Sequence, residues 1–213
     1  IRRMKRRGKF VTTSELLELM SVHEEGNYFH LSFDDAFANV FEIACDVLAD
    51  AHVPATIFVP VDYVEATHSE LVQNFRERHS GSAPVRIGSW KHIYEAVAAG
   101  FEIGSHTNSH ARLSTISRHQ ERLHEEVVLS RQLLERRLGV PCTSFAWPYG
   151  TMKDIDDTAA KSIQHAGYEA VFSAIRGRVQ PNRTDQFCIP RHQIEFHWPK
   201  NQIELWSQGF GER

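Results

Sequence analysis

The 213-residue chain is poor in cysteine, in net charge and in long apolar runs, and each shortage removes a class of protein. Cys45, Cys142 and Cys188 are too few and too widely spaced for a disulfide framework or a CxxC metal site. Cys45 lies in an apolar helical pattern and reads as a small core residue. No run approaches the roughly 18–20 apolar residues of a membrane span. A formal charge of −3 gives no general reason to expect nucleic acid or an anionic surface as partner. The local exception, Arg2-Arg3-Met4-Lys5-Arg6-Arg7, reads as a solvated helix face or frayed end in preference to a contact for acidic partners. No internal repeat, low-complexity linker or signal peptide is visible. The chain starts at Ile1, not Met, which predicts that it begins inside a longer protein. The residues present favour the cytoplasm, whereas an upstream signal peptide would place the protein in the periplasm or outside the cell.

What is present is an alternation. With 41% hydrophobic and 24% charged residues, the chain can bury a sizeable single core. Helical patterns cover Ser14 to Met20 (with Thr12, Thr13 or Ser14 as cap), Phe37 to Ala49, Trp90 to Ala99, Leu123 to Leu138 and Ile155 to His165. Between them lie β-rich stretches at 28–33, 53–61, 101–105, 143–146, 168–173 and 187–190. Such alternation predicts βαβ units and a parallel sheet with helices outside. The closed version is a (β/α) barrel, whose catalytic groups lie at the C-terminal ends of the strands. We therefore expect an α/β fold, an irregular barrel that is seven-stranded or incomplete. One domain spans 1–213, with the polar, weakly periodic 65–89 as an insertion or long loop.

Four polar clusters fall where predicted strands end: Asp34-Asp35, His106 with His110, Trp147-Pro148-Tyr149, and Arg191. Alone, Asp34 or Asp35 could equally cap the following helix. Two histidines at i, i+4 without the glutamate of HExxH are a weak zinc signal. Together, one carboxylate and two imidazoles form a set that leaves coordination positions open for water and substrate, the pattern of a catalytic metal. The spare aspartate is then available as a general base. Phe37 and Phe41, at helical spacing after the first cluster, read as core.

LSFDDAF (31–37), SHTNSH (105–110) and FAWPYG (145–150), in this order, resemble the polysaccharide deacetylases of carbohydrate esterase family 4, the group with a NodB-like homology region. ADAHVPATIFVP (49–60), GFEIGSHT (100–107), HAGYEAVFS (165–173) and IPR (189–191) extend the resemblance over about residues 28 to 194. The resemblance implies a divalent metal held by Asp35, His106 and His110, and Asp34 as the base that activates its water. It further implies that Thr107 braces the histidine loop and that Pro148 and Tyr149 supply the oxyanion hole through the tyrosine N–H. The implied reaction is hydrolysis of the N-acetyl group of an N-acetylated sugar, with release of acetate. Zinc suits the ligands best, with cobalt, nickel, manganese or iron as alternatives.

The sequence also departs from the family pattern. Ala36 stands where the family has glycine. The arginine common in the third motif is missing, and Arg191 either replaces it in orienting the base or forms a structural salt bridge. The late Leu-x-Ile-His that carries the family's acid histidine has no counterpart, since His192 and His197 match poorly. So do His23 and His30 as substitutes for the Tyr-His pair of a related branch, and the acid is left unassigned. Trp147 and Trp198 are either sugar-stacking platforms or packing residues. Two other readings stay open: a same-fold hydrolase of a small non-sugar amide or formamide, and a catalytically silent carbohydrate-binding relative.

Overall fold

The computed structural model describes residues 1–22, 24, 26–65 and 86–194, with 199, 201, 202 and 205. Most of the predicted insertion, together with His23, His197 and Trp198, lies outside the described residues. The strands are β1 (Lys9–Val11), β2 (Tyr28–His30), β3 (Ser32–Phe33), β4 (Thr56–Val59), β5 (Glu102–Ser105), β6 (Ser144–Ala146) and β7 (Ala170–Phe172). Every pairing between them is parallel: β1 with β2, and β3 to β7 in sequence order. Leu31 joins the two sheets, because β2 and β3 are one stretch of chain that pairs first with β1 and then with β4. The result is an incomplete (β/α) barrel, as its open last edge shows. There, the predicted strand at 187–190 shrinks to one parallel bridge between Ile189 and Phe172.

Side chains alternate along these strands as the pleat requires. Phe58, Ala146, Ala170, Phe172 and Ile189 form one buried cluster with Val11, Leu16 and Met20, which fills the inside of the curved sheet. Their neighbours Ile57, Val59, Ile103, Phe145 and Val171 belong to the cluster shared with the outer helices. Gly104 falls on the inner face, where a Cβ would come within 2.5 Å of the Phe58 ring and 2.6 Å of Ser144 Oγ.

The helices are α1 (Arg2–Lys5), α2 (Thr13–Ser21), α3 (Cys45–Asp50), α4 (Val61–Glu65), α5 (Trp90–Ala98), α6 (Leu113–Ile116), α7 (Gln120–His124), α8 (Ser130–Leu138) and α9 (Asp157–His165). The capping residue of α2 is Thr12, in a reciprocal capping box with Glu15. Two predicted helices carry a π turn. Val40–Ala44 precedes α3, and Glu125–Leu129 joins α7 to α8. A π turn keeps the apolar stripe while rotating the helical segment after it, so hydrophobic periodicity does not reveal it.

Polar side chains join α2 to the inner face of the barrel. Glu102 accepts from the Thr13 N–H (3.0 Å), from Thr13 Oγ1 (2.7 Å) and from Thr56 Oγ1 (2.8 Å), so its charge sits at the N-terminus of α2. His30 Nε2 lies 3.2 Å from both threonine hydroxyls, and its ring stacks on Phe172. Burial, and after it the charge of Arg191, push the His30 imidazole down to about 4. In the unfolded chain the same ring takes a proton near its ordinary value of 6.5, so stability is lost as pH falls from there toward 4. His30→Gln should remove this dependence. Urea unfolding at about pH 7 and pH 4.5 should show wild type losing roughly 2–3 kcal/mol more than the variant. Equal losses would refute a neutral, buried His30.

Candidate metal centre and active site

Because the strands are parallel, their C-terminal ends form one rim, and the predicted clusters meet there. Asp34 and Asp35 follow β3, His106 follows β5 and Trp147 follows β6. Arg191 is brought up by the segment that bridges β7, where Ile189 N–H donates to Val171 O and Ser173 N–H to Ile189 O. Neither aspartate caps a helix: the next helical turn begins at Ala38, with Ala36 and Phe37 between it and Asp35.

Asp35, His106 and His110 converge, with one donor atom from each all within 4.8 Å of one another. His106 Nε2 is 3.4 Å and His110 Nε2 3.2 Å from Asp35 Oδ1. Both histidines are buried. His106 Nδ1 sits 2.7 Å from Ala146 O, which fixes that nitrogen as the donor and leaves Nε2 to face Asp35 with its lone pair. Asp35 Oδ1 is buried and makes no hydrogen bond among the described residues. A carboxylate oxygen among imidazole nitrogens is stable only with positive charge between them. The electrostatics agree. Burial opposes ionisation of Asp35, but the two histidines outweigh it and hold the carboxyl well below its usual range. Burial likewise opposes charge on His106, yet Asp35 and Asp34 push its pKa up. These residues fit a divalent cation.

Asp34 has a different partner. Arg191 grips it in a two-pronged pair, Nη1 to Oδ1 at 2.7 Å and Nη2 to Oδ2 at 2.8 Å. The same guanidinium donates to Ser173 O (2.7 Å) and to Ser32 Oγ (3.0 Å), so it is held by β3 on one side and by the residue after β7 on the other. Burial favours neutral Asp34, and the Arg191 charge overrides it and lowers its pKa. The two alternatives for Arg191 thus merge: it is a salt bridge, and it orients the aspartate.

The third cluster divides by exposure. Trp147 is only 1% exposed and donates from Nε1 to Thr151 O. Its face is closed to a sugar ring, so the stacking role expected of it gives way to packing. Pro148 is buried as well and shapes the turn without presenting itself to a substrate. Tyr149 is 39% exposed and stands edge-on to His110, with φ +65°. Gly150 must lack a side chain, since a Cβ would meet Ala174 N and Cβ at 2.4 Å.

The bracing expected of Thr107 takes another form. Its hydroxyl is buried and makes no hydrogen bond among the described residues. The loop is held instead by residues that no motif marks. Asp62 N–H donates to Asn108 O (2.8 Å), and Glu126 Oε2 accepts from the N–H groups of Asn108 (2.9 Å) and Ser109 (2.8 Å). Arg112 is equally unmarked: it pairs with buried Asp154 and lies 4.3 Å over the Tyr149 ring. Ala36 adopts φ +50° and is fully buried, so the Cβ in place of the family's glycine is accommodated. His192 lines the cleft one residue beyond Arg191, and His30 sits among Thr13, Thr56 and Phe172.

A family model of the polysaccharide deacetylases matches residues 22–171, most of the chain, and the protein belongs to that family. Solved structures share its fold at low identity. The Streptococcus pyogenes deacetylase PplD, solved with acetate, has a TM-score of 0.75 at 19% identity, covering 95% of this chain and 82% of that one. IcaB from Ammonifex degensii gives 0.75 at 22% identity, over 96% and 84% of the two chains. The deacetylase domain of BpsB from Bordetella bronchiseptica gives 0.71 at 16% identity, over 88% and 79%. No curated protein matches the sequence.

Replacing Asp35, His106 or His110 by alanine should each weaken zinc binding by more than the roughly 100-fold that removing an outer-shell partner costs. Metal content after dialysis, measured by mass spectrometry on protein shown to be folded, reads this directly. Full retention of zinc in any of the three would remove that residue from the set.

Proposed function

We propose that this chain is a metal-dependent hydrolase that removes N-acetyl groups from a sugar within an oligo- or polysaccharide. The observation that carries this reading is the division of labour between adjacent aspartates: Asp35 faces two imidazoles, while Asp34 is fixed by Arg191. A divalent cation, zinc being the best match to these ligands, supplies a Lewis acid when bound.

The protein's own groups do the rest. Asp34 stays ionised and oriented, so it can take a proton from the attacking water. The hydroxide adds to the acetamide carbonyl carbon, and the Tyr149 N–H would donate to the oxyanion that forms. The C–N bond then breaks, the nitrogen takes up a proton, and acetate and a free amine leave. The cleft is lined at the rim by Asp34, Asp35, His106, His110 and Tyr149, and it continues down to Tyr28 at the N-terminal end of β2.

Acetate release from N-acetylglucosamine oligomers, followed with metal content, tests the reading. Asp34→Asn should lower kcat by about 10²–10⁴-fold while the protein still binds zinc. Arg191→Gln should also lower kcat, by less, with zinc retained. Normal turnover by Asp34→Asn, or no detectable metal in folded wild type, would sink the proposal.

A further inference from the structure

The loop that carries both histidines is unfavourable by itself. Thr107 and His110 both have left-handed backbones, φ +67° and +57°. Such a conformation costs a non-glycine residue on the order of 1–2 kcal/mol, and a β-branched threonine is among the residues least suited to it. Between them the N–H groups of Asn108 and Ser109 point to one side, forming a concavity that suits an anion. Glu126 fills it. Oε2 accepts from both N–H groups, and Oε1 accepts from the Ser109 hydroxyl.

Glu126 is a buried carboxylate, 4% exposed, and among the described residues no cation pairs with it. An unpartnered charge there would be strongly destabilising, so the loop's three donors are what make its burial tolerable. The dependence is therefore mutual. The mounting is rigid as well. Glu126 sits in the π turn Glu125–Leu129, and its own carbonyl accepts from Ser130 Oγ at 2.7 Å. Ser130 Oγ in turn lies 2.9 Å from Ser105 Oγ, on the residue just before His106. One face of the loop is thus tied to this helix, and the other to the start of α4 through Val61 and Asp62.

We propose that Glu126 is the positioning residue of the metal centre: its carboxylate holds 107–110 in the left-handed path that points His106 and His110 at Asp35. This rests on the reading of Asp35, His106 and His110 as metal ligands, and the test separates the two. Zinc affinity is measured on metal-free protein by competition with a chromophoric chelator, beside thermal unfolding of the same samples. Glu126→Ala should bind zinc about 10–100-fold more weakly. Glu126→Gln keeps an acceptor for the two N–H groups and a donor toward Ser109 Oγ, and should recover most of that loss. Leu134→Ala, a buried truncation further along the same helix, should lower the melting temperature yet leave zinc affinity within about twofold. If Glu126→Ala does not fold, Glu126→Asp replaces it, because a side chain one methylene shorter withdraws from the concavity and should weaken zinc about tenfold. Wild-type affinity in Glu126→Ala or Glu126→Asp would overturn the proposal, as would equal weakening by Leu134→Ala. Absence of zinc binding in wild type would instead overturn the metal site itself.

Discussion

Parallel pairing of the strands is the constraint on which the remaining structure depends. It puts every strand's C-terminal end on one rim and requires each connection to carry the chain back to the opposite end; helices do this on the outside of the five-stranded sheet, whereas α2, between β1 and β2, packs against the inner face. Residues more than a hundred positions apart then become neighbours without any long-range recognition of their own. Arg191 reaches Asp34 because β7 and β3 end at the same level. The inner face tolerates this arrangement because Gly104 and Ala146 leave room for Phe58 and Phe172.

The site separates two like charges by giving them different partners. Asp34 and Asp35 are adjacent in the chain and would raise each other's pKa if left alone. A guanidinium anchored on β3 and on the residue after β7 takes one, and two imidazoles take the other. Both stay ionised, and they become inequivalent. That inequivalence lets one carboxylate hold a cation while its neighbour handles protons.

Much of this is legible in the sequence, and the remainder is hidden for identifiable causes. The β-rich runs at 28–33, 53–61, 101–105 and 143–146 appear as strands because continuous β-branched and aromatic residues suit a sheet covered on both faces. β1 escapes such a reading because Lys9–Val11 is three residues long and comes after a basic run that masks it. The segment at 187–190 has strand composition but only one neighbour to pair with, so little of it becomes strand. At the site, the ligating and proton-handling residues can be read because their chemistry is carried by rare side-chain types in order. The supporting residues cannot, since a glutamate on a helix usually signifies solvent. One signal exists for Glu126: it lies three positions after Leu123 and beside Val127, on the apolar stripe, where a charge needs a reason. Trp147 misleads in the opposite sense, because an aromatic next to a site motif can as well pack beneath it as face the substrate.

Seven non-glycine residues among those described have positive φ, and five of them, Asp35, Ala36, Thr107, His110 and Tyr149, stand at the rim. Asparagine, aspartate and histidine tolerate that backbone best, and glycine adopts it freely. Asp35 and His110 therefore satisfy two filters at once, one set by ligand chemistry and one by torsion angle. Glutamate could in principle replace the aspartate as an oxygen donor, and cysteine the histidine as a soft one, but neither is at ease with a left-handed backbone. The set of residues through which this rim can drift is accordingly narrower than its chemistry alone would allow. A designer exchanging its ligands for another metal would have to rebuild the loops before choosing the side chains.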